Sequence, residues 1–247
     1  MPMCAGGKPS GSRESQGGWA ARLARKMKML KAIILLILIG GSPLSVTWAA
    51  DSPAPAEPSG EGSGEPLEAT PQWTIDRLNQ ALLEIMRRAD ELGYRGRYEV
   101  VAPVVRETFD TKFMASKSIG SAWRKLAPEQ RERWVDTFEA YTISNLADRF
   151  DGFSGETLEI VGDRPASNET LVVETRLDRP GDDSVGLDYR MRDAGQAWKV
   201  IDVYSDGKVS EIALRRSEYA SVLRADGIEG LITAVSGKTA KRAQQAP

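Results

Sequence analysis

Histidine is absent from the 247 residues, and the one cysteine, Cys4, stands near the N-terminal end. Beyond position 49 the chain therefore offers neither an imidazole nor a thiol. That excludes a Ser-His-Asp or Cys-His nucleophile, a histidine acid or base, a His/Cys zinc site and a disulfide framework there. Phosphate-cradling and dinucleotide glycine patterns and the G-x-S-x-G elbow are also missing; Gly93, Gly96, Gly152 and Gly155 are isolated turn glycines. Nor is there an overall excess of one charge, with 33 bases against 35 acids and a net charge of −2. That balance averages over unlike segments. Residues 1–49 carry seven bases (Lys8, Arg13, Arg22, Arg25, Lys26, Lys28, Lys31) and one acid, Glu14, which leaves 26 bases against 34 acids in the rest. An acidic remainder lacks the basic face that nucleic-acid binding requires.

What is present begins with an apolar run, AIILLILI at 32–39, preceded by Arg25, Lys26, Lys28 and Lys31 and followed by Gly40, Gly41 and Pro43. It falls short of the roughly 20 residues that span a bilayer. Thr47 and Ala49 place small side chains at the minus-three and minus-one positions of a cleavage after Ala49. Together these parts describe a secretory signal peptide. The competing reading, an uncleaved anchor, is opposed by the Gly-Gly-Ser-Pro break. No cysteine follows the run, so lipid attachment to a new N-terminus is not expected. Residues 1–26 exceed what a leader needs, and translation is expected to start at Met27 or Met29 rather than Met1. The organisation expected is an N-terminal extension and signal peptide over 1–49, a linker over 50–72, one domain over 73–238 and a flexible tail over 239–247. Within the linker, residues 51–70 have four prolines, five acids and no base, a composition that cannot offset its own ordering entropy.

The domain reads helices, then strands, then helices. Ile75, Leu78, Leu82, Ile85, Met86, Ala89 and Leu92 recur at steps of three and four, marking a helix that Gly93 stops. A second helical stretch starts around Val100 and includes Val104, Val105, Phe109, Phe113 and Met114. Pro128 opens a third, to about Phe150, as a first helical turn permits. Its apolar positions, from Trp134 to Phe150, cover more than one stripe, so it should pack on helices on one side and the sheet on the other, or partly line a cavity. Strands are expected at 157–161, 170–177, 184–191 and 197–204, the second and third alternating apolar with charged residues. Turns of a few residues are too short for parallel crossovers, so the sheet is an antiparallel meander. Two helices, about 210–224 with Ser210 as N-cap and about 228–235 after Gly227, close the domain. The fold class is α+β: a helical layer on one face of an antiparallel sheet of about four strands, with an apolar cavity between them.

An enzyme would have to rely on carboxylates, Lys, Tyr or Ser. The acid pairs Asp182/Asp183 and Glu129/Glu132 lie where solvated charges belong. Asp188 and Asp202 fall within strands, where pairing with Arg190 or Arg192 gives them a structural role. Binding is therefore favoured over catalysis. An enclosed apolar cavity suits a lipid, since two acyl chains at about 0.8 kcal/mol per methylene resist entering water by on the order of 20 kcal/mol.

Specific residues point further. Phe109, Asp110, Met114, Ala115, Gly120, Trp123, Arg124, Glu129, Gln130 and Phe138 resemble the FD…MA…G..W…EQ…F pattern of the MlaC family. Leu187 to Met191 resemble its LDYRM strand, and Trp198, Lys199, Val200, Asp202 and Val203 its WKVxDV strand. Gly207, Ser210, Arg216 and Tyr219, then Gly230, Leu231, Ile232 and Lys238, resemble its last helices. The similarity covers about 73–238. It implies a non-catalytic periplasmic shuttle, without cofactor or metal, that carries a membrane lipid between an inner-membrane transporter complex and an outer-membrane lipoprotein or porin complex, meeting each only transiently. Two features depart from the pattern: Lys208 is an extra residue between Gly207 and Val209, and Arg215 replaces an aromatic. Both resemble a branch associated with hopanoid biosynthesis, so the cargo implied is a phospholipid or a hopanoid. The expected lining is Phe109, Phe113, Met114, Trp134, Phe138, Tyr141, Leu187, Tyr189, Met191, Val200, Tyr219, Val222 and Leu231. Two other classes remain open: an adaptor for a membrane transporter, and a carboxylate-dependent enzyme.

Overall fold

The computed structural model describes residues 70–245. The signal peptide, the alternative starts and all but the end of the linker lie outside the described residues. Helix α1, Pro71–Arg87, begins two residues before the expected boundary because Thr70 caps it, its hydroxyl accepting the Trp73 N–H at 3.2 Å, and Pro71 takes the first turn. Ile75, Leu78, Leu82 and Ile85 are fully buried, as the periodicity requires. The helix ends at Arg87, not at Gly93. Helix α2, Ala89–Thr108, starts well before Val100 and contains Gly93 as a kink, with φ 56°. Glycine adopts that left-handed conformation freely, so the residue that would stop a helix here redirects one.

Helix α3, Thr111–Ser118, is capped by Asp110, whose Oδ1 accepts the Phe113 N–H at 2.9 Å. A 3-10 turn, Gly120–Lys125, leads to α4, Pro128–Arg149, where Gln130 returns its side chain to the Ala127 N–H at 3.2 Å. The wide apolar face of α4 is explained by helices rather than by the sheet. Its main neighbours are α2, α3 and the last helix, α5 (Glu211–Gln245), whereas α1 provides the largest share of the sheet's cover.

Strands β1 (Thr157–Ala166), β2 (Thr170–Asp178), β3 (Val185–Asp193), β4 (Trp198–Ser205) and β5 (Val209–Ser210) form an antiparallel meander in chain order. There are five strands rather than four. Asp206 and Gly207 both have positive φ, 49° and 65°, and the Lys208 N–H donates to the Ser205 carbonyl at 3.1 Å, which closes a three-residue hairpin loop and pairs β5 with β4. Strand β1 runs past Val161 to Ala166: a bulge absorbs the break at Gly162, and Pro165 is tolerated because β1 is an edge strand.

The closing segment is two helical stretches meeting at Gly227, as expected, but the second runs on to Gln245 in place of a frayed tail. Gly227, φ 65°, kinks α5, which continues through Gln245. Arg242 holds this end, donating to Asn145 Oδ1 at 3.0 Å and pairing with Asp148 at 3.3 Å on α4. Arg97, buried in α2, fastens the other helices by donating to the Ala147 carbonyl of α4 at 2.9 Å and the Ala89 carbonyl at 3.1 Å.

Candidate functional site

The strand alternation and the helix spacings send most of the expected lining residues to one place. Leu187, Tyr189 and Met191 project from one face of β3, and their register partners, Thr175, Val173 and Leu171 on β2, share that face. Phe109, at the end of α2, is joined to β4 by the Asp110 N–H, which donates to the Val200 carbonyl at 2.9 Å. Phe109, Met114, Trp134, Phe138, Tyr141, Tyr189, Met191, Val200, Tyr219 and Leu231 are all buried in a single apolar core that spans the helical layer and the sheet. Leu187 and Val222 are half-buried against it. Phe113 departs from the set: it is half-buried at the rim of a surface cleft, outside the core.

Trp134 organises the helical side of this core. Its indole N–H donates to the Ala115 carbonyl of α3 at 2.9 Å, and its ring meets Tyr219 edge-on, with centroids 5.4 Å apart. The phenols of Tyr189 and Tyr219 are pushed up from their ordinary pKa by burial, and the Tyr219 hydroxyl has no hydrogen-bond partner among the described residues. The guanidiniums of Arg215 and Arg242 lie over the Tyr141 ring, each 4.9 Å from its centroid. Arg215 itself is buried and paired with Glu211 and Glu218, so a charge occupies the edge of an otherwise apolar region.

The side chains expected to line a cavity between helices and sheet are packed together as one buried core. Two clefts open at the surface of the described residues. One, of about 210 Å³, is lined by Asp110, Lys112, Phe113, Ser116, Trp123 and Arg192; the other, of about 200 Å³, lies over the outer sheet face near Arg164, Val172, Arg190 and Tyr204. Both are smaller than the roughly 300 Å³ from which small-molecule pockets usually start.

The strand carboxylates take other partners than expected. Asp202 pairs with neither arginine; its Oδ1 accepts the Ile212 N–H at 3.1 Å and its other oxygen the Ser210 hydroxyl, capping α5 together with Ser210, which accepts the Ala213 N–H at 3.0 Å. Arg190 reaches Thr170 at the start of β2 and Ser167 in the β1–β2 turn instead, and Arg192 pairs with Asp110. Asp188 has no ion-pair partner among the described residues, and burial, then Glu174, pushes its pKa up. Asp182 and Asp183 are exposed in a turn, and Glu129 and Glu132 on a helix surface. Among the described residues no cluster of three or more His, Cys, Asp or Glu is placed to hold a metal, and no helix is long and apolar enough to cross a membrane.

The sequence reading missed the part of Ile75, Leu78, Leu82 and Ile85, whose periodicity was plain but whose helix proves to cover the sheet and to share the same core. It also missed Arg242, placed in a tail that turns out to be helical, and the Lys112–Trp123–Arg192 cleft, whose residues lie far apart in the chain.

Two comparisons bear on this arrangement. The phospholipid-binding protein from Ralstonia solanacearum, solved in complex with a phospholipid, has the same fold at a TM-score of 0.62 and 22% identity, over 71% of this chain and 99% of that one. The family model described as MlaC protein matches residues 76–236, from the first turns of α1 to the second half of α5. With that match taking in every strand and every residue of the buried core except Ile75, the chain belongs to the MlaC family.

Proposed function

We propose that the protein is an exported, non-catalytic lipid carrier. It encloses the tails of a membrane lipid between helices and sheet, and passes the lipid in the periplasm between an inner-membrane transporter complex and an outer-membrane lipoprotein or porin complex. The observation that carries this reading is the convergence of ten separately expected residues from α2, α3, α4, β3, β4 and α5 into one apolar core. Membership of the MlaC family and the likeness to a protein solved with a phospholipid support it. The leader and the basic run before it support export. To admit acyl chains, the helices must part from the sheet; Met114 and Met191 supply adaptable surface there, and the glycine kinks in α2 and α5 supply places where helix segments reorient.

The test is native mass spectrometry of the purified protein, followed by organic extraction of whatever it carries. One lipid per chain is expected, and its extract decides between phospholipid and hopanoid. Leu187→Arg puts a charge at a half-buried position of the inner sheet face and is expected to remove the copurifying lipid from a folded protein. Tyr141→Arg is the poorer test, because it would set a third guanidinium beside Arg215 and Arg242. A protein that stays lipid-free after incubation with membranes, or a Leu187→Arg variant with undiminished lipid, overturns the reading.

A further inference from the structure

One stretch of surface carries cations without acids. Residues 111–128 contain Lys112, Lys117, Arg124 and Lys125 and no acid. All four are exposed, and none pairs with a carboxylate among the described residues. Arg131 and Lys199 are alike in this: their side chains donate to backbone carbonyls, of Trp123 and Arg124 for the first and of Glu107 for the second. Elsewhere exposed arginines are commonly neutralised, as in Arg77–Glu107, Arg106–Glu139, Arg133–Glu229 and Arg164–Glu174.

These cations gather at the cleft between α3, the 3-10 turn and the end of β3. Lys117 lies 5.0 Å from the centroid of Phe113, Arg131 lies 5.6 Å from that of Trp123, and Lys199 is the register partner of Arg192. The carboxylates close by are engaged. Asp110 accepts the Phe113 N–H and pairs with an Arg192 Nη, and Asp193 accepts the Gly195 N–H at 2.7 Å. Arg192 Nε is buried without an acceptor, a donor that one more oxygen would satisfy.

The complementary charge lies in this same chain. Residues 61–69, EGSGEPLEA, precede α1 and contain Glu61, Glu65 and Glu68 and no base. They join the described residues at Thr70, beside the cationic surface: the Thr74 hydroxyl is 3.3 Å from the Thr70 carbonyl and 3.4 Å from the Trp198 carbonyl, and Trp198 is the register partner of Asp193, next to Arg192. Nine residues reach at most roughly 30 Å, enough to extend from Thr70 past Arg192 to Lys112 and Lys117.

We propose that residues 61–69 dock on this surface, with Glu61, Glu65 and Glu68 against Lys112, Lys117 and Lys199 and one carboxylate seated in the cleft on Arg192. The inference goes beyond the carrier reading and does not depend on it. Tethering holds the acids at a local concentration on the order of millimolar, so pairs too weak to hold a free peptide are populated here. Any other anion that enters the cleft must displace the segment.

The test is the rate at which each lysine of the purified protein is acetylated by trace acetic anhydride, read by peptide mass spectrometry, since an ion-paired amine reacts slowly. Lys112 and Lys117 are expected to react at least threefold more slowly in wild type than in the triple variant Glu61→Gln, Glu65→Gln, Glu68→Gln. The difference should vanish in about 0.5 M salt, where the Debye length is about 4 Å. Lys208, Lys238 and Lys241, on other parts of the surface, should react alike in both proteins. Rates at Lys112 and Lys117 that the triple variant leaves unchanged overturn the proposal, and so does an equal change at all lysines, which would mean a general field in place of a seat. Carbodiimide crosslinking of a mixture of nitrogen-14 and nitrogen-15 chains is expected to join these glutamates to Lys112 or Lys117 within one chain. Crosslinks that join the two labels would assign the segment to a second copy, and their absence altogether would remove the contact; either overturns the proposal.

Discussion

Trp134 offers the sharpest test of how the helical half of the core is held. The side chain is fully buried, donates to the Ala115 carbonyl of α3 at 2.9 Å, and meets Tyr219 of α5 edge-on, so one residue of α4 ties three helices. Trp134→Phe keeps an aromatic ring and removes the donor together with about 40 Å³ of volume. At about 24 cal/mol per Å³, the void costs about 1 kcal/mol. The lost hydrogen bond adds about another 1 kcal/mol, toward the low end of the range because the Ala115 carbonyl retains the Ser118 hydroxyl as a donor at 2.8 Å. The sum, about 2 kcal/mol, corresponds in a domain of this size to a fall in Tm of about 4 to 8 °C. Urea unfolding followed by far-ultraviolet circular dichroism measures it as a lower midpoint at unchanged slope. A midpoint within experimental error of wild type would refute the assignment of Trp134 as the tie. A loss beyond about 5 kcal/mol would refute the magnitude, and with it the view that the core closes around the smaller ring.

Two further predictions concern buried charge. Arg97→Ala deletes two charge-assisted hydrogen bonds, to the carbonyls of Ala147 and Ala89, and is expected to cost about 3 kcal/mol, read as a fall in Tm of about 6 to 12 °C by calorimetry. Burial, followed by the nearby Glu174, raises the pKa of Asp188, so the native state holds this proton more tightly than the unfolded chain. Stability linked to Asp188 is therefore full below the unfolded carboxylate pKa and lost as pH rises through the folded value. Asp188→Asn is expected to stabilise the protein at neutral pH and to lose that advantage in acid below the carboxylate range; urea midpoints at both pH values check it, and an advantage equal at both would sink the assignment.

Much of the architecture was legible in the chain because it is written in short-range patterns. The three-four spacing of α1 gave its buried face, Pro128 and Ser210 marked helix starts, and turns of a few residues forced an antiparallel meander. Gly93 and Gly227 both take the positive φ expected of a helix stop, and each is followed at once by a further helical stretch. The fifth strand was signalled by Asp206-Gly207, a hairpin dipeptide, but two residues of pairing carry too little alternation to be read as a strand. All thirteen candidate residues were expected to line one interior; ten are buried in a single core, and Leu187 and Val222 are half-buried against it. Phe113 proves to stand at a rim, because the side chain's direction on an eight-residue helix depends on how that helix is set against β3.

What the sequence determined by itself is therefore local and periodic: element types, order, hairpin topology, the apolar residues available for an interior, and a leader-like N-terminal pattern. Those follow from 3.6- and 2-residue repeats and from backbone preferences that act within a few positions. Only the tertiary structure decided that α4 is surrounded by helices, that Arg242 is anchored to residues about a hundred positions upstream, and that Asp110, Trp123 and Arg192 meet in one cleft. Such contacts are settled by which faces bury most apolar surface and which charges find partners when the layers close. That competition is long-range, and no window of sequence contains it.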